Sequence, residues 1–169
     1  PYHSHLHELR QIGSGMYGAI IVSDSARDLT RDKLVVAGGG GIGVFDKEGP
    51  SFLLVNGSKS PSAIHMVVGD TNRVRIVSIH ADEILHFRFG DDSTVARWTP
   101  IAKDGADLPP ALRRQETASI EMGPGQTADF SYVPIRVGRM YLETWVSPMG
   151  QRIALPVIVD PRVTMAGRQ

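Results

Sequence analysis

Short apolar or β-branched runs recur along the chain, each stopped by glycine, proline, asparagine or aspartate, and this punctuation predicts strands rather than helices. The runs "LVVAGGG", "SFLLVNG" and "SAIHMVVGD" end in Gly, Asn-Gly and Gly-Asp. In "RVRIVSIH" the apolar Val74 and Ile76 alternate with Arg73 and Arg75, and in "ILHFRFG" Leu85, Phe87 and Phe89 alternate with His86 and Arg88. Period two places one set of side chains on a core and the other toward solvent.

Further along, "ARWTPIAKDG" reads as a strand closed by a Lys-Asp-Gly turn, and "ASIEMGPGQTADFSYVP" as two strands joined at Gly123-Pro124-Gly125. "RMYLETWVS" and "QRIALPVIVD" form a candidate closing hairpin across Pro148-Met149-Gly150. Near the start, Ala19 to Ser23 is expected as a short apolar strand after a glycine-rich turn. Only Ala111 to Glu116 has helical character, and no heptad, sustained 3.6-residue period or fixed-length repeat is visible. The pattern predicts an all-β sandwich or barrel.

The chain has 169 residues, long enough to bury a core of its own. Lys+Arg and Asp+Glu are each 18, so no basic excess points to nucleic acid. Cysteine is absent, which removes disulfides, zinc thiolates, iron–sulfur clusters and thiol nucleophiles together. No apolar run approaches the ~18 residues of a membrane-spanning helix, so no membrane partner is expected. The chain starts at Pro1, in front of a strand-like segment, without an initiator Met or a signal-like leader. This is the beginning expected of a piece cut from a larger protein.

Histidine therefore carries any soft-metal chemistry, and the one dense cluster is His3-Ser4-His5-Leu6-His7-Glu8. On an extended strand His3, His5 and His7 share one face, neighbours standing about 6.6 Å apart (two rises of roughly 3.3 Å). That spacing suits two adjacent ions better than one. Imidazole serves zinc, copper, nickel or iron, so the spacing leaves the metal open. A polar exposed segment with no metal at all is the plain alternative.

Other motifs carry less. The glycines 38–41 lack the Lys-Ser/Thr of a phosphate loop and are expected to form a loop or hairpin. Gly13-Ser14-Gly15 is not the turn that exposes a hydrolase serine, and Asp104 and Asp107 read as turn residues. His65, His80 and His86 are isolated and stay outside the site. Trp98, Trp145, Phe87, Phe89, Phe130 and Tyr132 are expected to fill the core. The His-x-His of zinc hydrolases shares this beginning, yet those folds need helices the pattern lacks, and metallo-β-lactamase-like enzymes have Asp where His7 stands.

The segment "YHSHLHELRQIGSGMYGAIIV" closely resembles one found in multicopper oxidases, the laccase-like enzymes built from cupredoxin domains. The matching elements are Tyr2-His3-Ser4-His5, Gln11, Gly15-Met16-Tyr17-Gly18 and the apolar Ala19 to Val22. "FLLVNGSKSPSAIHMVVGDTNRVRIVSI" and "WTPIAKDGADLPP…MGPGQTADF" resemble the opening and later parts of a following cupredoxin domain. The resemblance implies a cupredoxin-like Greek-key sandwich preceded by the terminal strands of another such domain. Residues 1–24 would end the first copper-binding domain and 25–50 would be a connector with the leading strand. Residues 51–160 would form a cupredoxin-like domain without its own copper ligand set, and 161–169 an exit linker.

By the same resemblance His3 and His5 are metal ligands, each holding one of the paired type 3 coppers of a trinuclear cluster, while His7 has no counterpart. Glu8 is a candidate acceptor for the second nitrogen of a ligand ring. Ser4 stands where a type 1 His-Cys-His motif would have Cys, and the other histidine motifs are absent. The cluster would be completed by residues outside this chain. The implied parent couples oxidation of a small reducing substrate to reduction of dioxygen to water, in the periplasm or outside the cell. The implied partners are the other cupredoxin domains of that parent, and this chain alone is expected to be inactive. The competing expectation is a non-catalytic cupredoxin-like module that binds copper or serves only as structure.

Overall fold

The computed structural model describes residues 1–23, 28, 30–40, 52–81, 83–147 and 150–163. Most of the connector at 24–29, glycine 41, the turn residues Pro148 and Met149, and the exit-linker residues 164–169 lie outside the described residues. Two short strands, β1 (Tyr2–His3) and β2 (Tyr17–Gly18), pair with each other and flank a helix, α1 (Glu8–Gly13). Everything after them is a β-sandwich.

One sheet holds β3 (Asp32–Gly40), β4 (Phe52–Val55), β6 (Asn72–Ser78), β8 (Arg97–Lys103), β10 (Glu116–Thr117) and β12 (Thr127–Tyr132) in the order β10-β8-β12-β6-β3-β4. The short β9 (Ala106–Asp107) folds back on β8. The other sheet holds β5 (Ile64–Val67), β7 (Leu85–Gly90), β11 (Ser119–Met122), β13 (Gly138–Val146) and β14 (Arg152–Asp160) in the order β11-β7-β13-β14-β5. Two pairs are parallel, β3 with β6 and β14 with β5, which requires crossovers from sheet to sheet rather than simple hairpins. This is the cupredoxin-like sandwich expected.

The strand readings hold with instructive differences. The Asn56-Gly57 turn follows β4, with φ of 49° and 75°, the left-handed pair that Asn-Gly accommodates at low cost. The strands β13 and β14 pair antiparallel from Gly138↔Val159 to Trp145↔Arg152. The strands on either side of Gly123-Pro124-Gly125 exist but do not pair, because β11 joins β7 while β12 crosses to β6 and β8. Residues 38–40 are strand, not loop. A Cβ at Gly38 would stand 2.7 Å from Ile79 Cγ2, and one at Gly40 would collide with Leu54 Cδ1, so glycine here permits close packing.

Inward positions of both sheets build one core. Trp98 is 1% exposed and stacks on Phe130 with ring centroids 3.8 Å apart, while Tyr132 meets Phe89 edge-on at 4.8 Å. Phe87 and Leu85 are fully buried on the same face of β7. Trp145 departs from expectation. It sits on the outer face of β13, half-buried, between the His86 ring at 5.2 Å and the Arg152 guanidinium at 4.8 Å. Leu142, Thr144 and Val146 face inward, so the odd positions of that strand must face out.

The expected helical stretch is a 3-10 turn, Pro110–Leu112, with no buried residue. Prolines at 109 and 110 start the turn, and without an apolar stripe nothing extends it.

Candidate metal centre

The histidine segment is extended only as far as His3. Tyr2 pairs with Gly18 and His3 with Tyr17, which clips the start of the motif to its far end. The clip depends on residue 18 lacking a side chain, since a Cβ there would lie 2.6 Å from the Tyr2 hydroxyl oxygen and 2.7 Å from two ring carbons. Tyr17 is half-buried, and that burial pushes its phenol above the usual value.

Beyond His3 the chain bends. Ser4 Oγ accepts the Leu6 amide at 3.2 Å, and His7 takes the left-handed conformation (φ 48°, ψ 51°) immediately before α1. The period-two alternation of three histidines is therefore corrected. The competing force is local: Ser4 turns its own backbone, and six residues gain helical hydrogen bonds that a strand at this place has no partner to supply. Leu9 and Ile12, three apart, were the sequence signal for the helix. Ile12 is 2% exposed, and the end of α1 lies beside β3, where a Cβ on Gly40 would stand 3.8 Å from the Gly13 carbonyl. The expected strand at Ala19 to Ser23 is also corrected. That segment has no regular structure and crosses the face of the larger sheet instead of joining an edge. Its residues line a cleft of about 400 Å³ together with Arg73, Arg75, Asp107 and Asp129.

The bend changes the site. The rings of His3 and His5 stack with centroids 4.6 Å apart and planes 23° from parallel, closer than the extended spacing. His3 Nδ1 lies 3.0 Å from the Ser4 carbonyl oxygen and 3.3 Å from Glu8 Oε1. The Ser4 carbonyl only accepts, so a ring protonated on one nitrogen carries that proton on Nδ1 and leaves the Nε2 lone pair open, while Glu8 stands beside it at ion-pair distance. The ring of His5 is exposed and makes no hydrogen bond among the described residues. Two adjacent imidazoles, one already oriented through its second nitrogen, fit borderline-soft ions such as copper or zinc. No third donor joins them: among the described residues no three His, Cys, Asp or Glu side chains converge.

The remaining histidines are dispersed. His65 Nδ1 pairs with Asp160 at 2.8 Å across β5 and β14, and His86 pairs with Glu121 at 3.2 Å. His80 is 4% exposed and its Nδ1 accepts the Glu83 amide at 3.2 Å. His7 is exposed outside the stacked pair.

Beneath the crossing segment, the larger sheet is stitched by charge. Arg75 forks onto Asp32 at 2.7 and 3.1 Å and reaches Asp129 at 2.8 Å, while Arg73 binds Asp129 at 2.6 Å. These residues span β3, β6 and β12, so the network ties three strands, and Arg73, Arg75 and Asp129 line the same cleft as residues 19–23.

Solved structures share this architecture. The multicopper oxidase Fet3p, described as functioning in iron import, superposes with a TM-score of 0.72 at 14% identity, over 99% of this chain and 35% of that one. A mutant of the laccase from B. aclada superposes with a TM-score of 0.69 at 16% identity, over 94% and 34%. CueO, a laccase-like multi-copper oxidase from Ochrobactrum sp., gives 0.63 at 19% identity, over 82% and 33%. The chain thus has the fold found in multicopper oxidases and spans about a third of the length of these three. No protein-family model and no curated protein sequence matches it.

Proposed function

We propose that this chain is part of a laccase-like multicopper oxidase and that His3 and His5 are its contribution to a type 3 copper pair. The observation that carries the reading is the stacked His3–His5 pair, with His3 Nε2 left open, on a Tyr-His-Ser-His motif joined to this fold. Bound copper would supply the one-electron chemistry that links a small reducing substrate to the four-electron reduction of dioxygen. The chain's own residues have narrower tasks. Tyr2, Gly18 and α1 hold the bend, the Ser4 carbonyl fixes the His3 tautomer, and His5 offers a second nitrogen beside it.

In this reading residues 1–24 complete a preceding cupredoxin domain, 25–50 lead into the next, 51–160 form a domain without copper ligands, and 161–169 lead away from it. The sandwich then spaces the copper-bearing domains of a periplasmic or secreted parent. Copper stoichiometry of the purified parent tests the proposal. Loss of about two coppers in the double variant His3→Ala/His5→Ala is the expected result, with negligible oxidase activity for residues 1–169 alone. Unchanged copper content, or a parent without further His-x-His and His-Cys-His motifs, favours the non-catalytic module instead.

A further inference from the structure

We propose that the cleft between the β7–β8 and β12–β13 connections is a binding site for a small apolar carboxylate, such as an aromatic acid with a bicyclic body. The proposal is independent of the metal-ligand reading of His3 and His5, because none of the residues concerned belongs to the histidine segment. The cleft has a volume of about 490 Å³, within the roughly 300 to 1,000 Å³ of small-molecule sites. Its floor is apolar. Val95, Ala96 and Met140 pack against the core yet stay only partly buried, beside Tyr132, whose hydroxyl is turned to Met140 Sδ at 3.3 Å. One wall is the β12–β13 connection, where Val133, Ile135 and Val137 are 42%, 86% and 56% exposed.

That wall is held on both sides. The Gly69 amide donates to the Pro134 carbonyl at 2.8 Å. Arg136 pairs with Asp91, whose carboxylate also accepts the Ser93 and Thr94 amides at 3.0 and 2.7 Å. The two connections are thereby tied together, so the shape of the cleft exists before a ligand arrives.

Charge at the rim selects the ligand. Arg97, Arg136 and Arg139 line the cleft, against the single carboxylate of Asp91, which Arg136 already occupies. Among the described residues Arg97 donates only to neutral oxygens of Gln115, at 2.9 and 3.4 Å, and the Arg139 side chain has no hydrogen bond or ion pair. Two guanidinium charges therefore stand uncompensated beside an apolar floor. A cation is repelled there, a neutral apolar molecule leaves both charges unused, and phosphate has no body to cover the floor. A carboxylate accepts paired N–H donors from a guanidinium fork while its apolar body fills the cleft.

Calorimetric titration of the parent protein with 2-naphthoate, 2-naphthamide and acetate tests the proposal. Naphthoate carries both features, naphthamide keeps the rings without the charge, and acetate keeps the charge without the rings. Naphthoate is expected to bind at one site per chain, with naphthamide at least about tenfold weaker and acetate giving no heat beyond dilution. Arg97→Gln and Arg139→Gln are each expected to weaken naphthoate by about 5- to 20-fold, the scale of one charge-assisted contact at a partly exposed site. Both side chains are exposed, so thermal melts should match wild type.

No binding of naphthoate, equal affinity for the acid and the amide, or an affinity unmoved in the double variant Arg97→Gln/Arg139→Gln would each overturn the proposal. The last result would place the acid elsewhere, for example on bound copper. The double variant His3→Ala/His5→Ala should bind naphthoate as wild type does, so loss of the copper reading and loss of this site are told apart.

Discussion

The Tyr2 ring lies across Gly18 so closely that a β-carbon at position 18 would stand 2.6 Å from the Tyr2 hydroxyl oxygen. Two residues that end opposite sides of the histidine motif are thus in contact because one has no side chain. Gly18→Ala is expected to push the Tyr2 ring aside at little cost to the sandwich, since Tyr2 is 53% exposed and its ring can move. The β1–β2 clip should suffer instead. Amide hydrogen exchange across the β1–β2 pair is expected to accelerate about tenfold, equivalent to roughly 1.4 kcal/mol of local opening, with an unchanged melting temperature. Unchanged exchange across that pair would show that the clip does not depend on this approach.

Thr144 faces the core with no exposure, and its hydroxyl oxygen has no hydrogen-bond partner among the described residues. Valine has nearly the same shape without the polar atom. Thr144→Val is expected to stabilise the chain by about 1 kcal/mol, the usual scale for a buried hydroxyl left unpaired. A urea midpoint that moves downward instead would mean that the hydroxyl serves the folded state.

Asp129 accepts from both Arg73 and Arg75 and is 8% exposed. Asp129→Ala leaves two guanidinium groups facing the floor of the cleft, with Arg75 still held by Asp32. A loss of about 2 to 3 kcal/mol is expected by denaturant titration, given two charge-assisted bonds in a mostly buried setting. A loss under about 0.5 kcal/mol would class the network with ordinary surface pairs.

Burial raises the Tyr132 phenol above its ordinary value of 10.0. The unfolded chain then ionises first as pH rises, so this contribution to stability is fully present below pH 10 and is lost as pH climbs through the folded value. Tyr132→Phe removes the group that ionises, along with the hydroxyl's 3.3 Å bond to Met140 Sδ. The variant is expected to be somewhat less stable at pH 7 but to lose stability less steeply above pH 10, as followed by denaturant midpoints across that range. Parallel alkaline slopes for the two proteins would refute it.

The strands were readable where one face is buried. In β6 and β7 the alternation of Val74, Ile76, Leu85, Phe87 and Phe89 with arginine or histidine is what a half-buried sheet demands. Trp145 shows the limit of that reading, since apolar character alone does not say which face an aromatic takes. The register of β13 against β7 and β14 decides it, and places the indole between His86 and Arg152. The run Gly38-Gly39-Gly40 shows another limit: glycines that look like a loop become strand where Ile79 and Leu54 come too close for side chains.

For the histidine segment, the sequence by itself determined the available groups: three imidazoles at alternate positions, no thiolate, and an acid directly after the third. Their chemistry follows from residue type, which folding does not alter. Only the tertiary structure decided their arrangement. The Ser4 bend, the anchored helix and the Tyr2–Gly18 contact draw His3 and His5 into a stack and bring Glu8 to the back of one ring. The physical reason is that an extended segment needs a partner strand along its whole length. Here the partner, β2, is two residues long, so beyond His3 the backbone satisfies itself by turning and coiling.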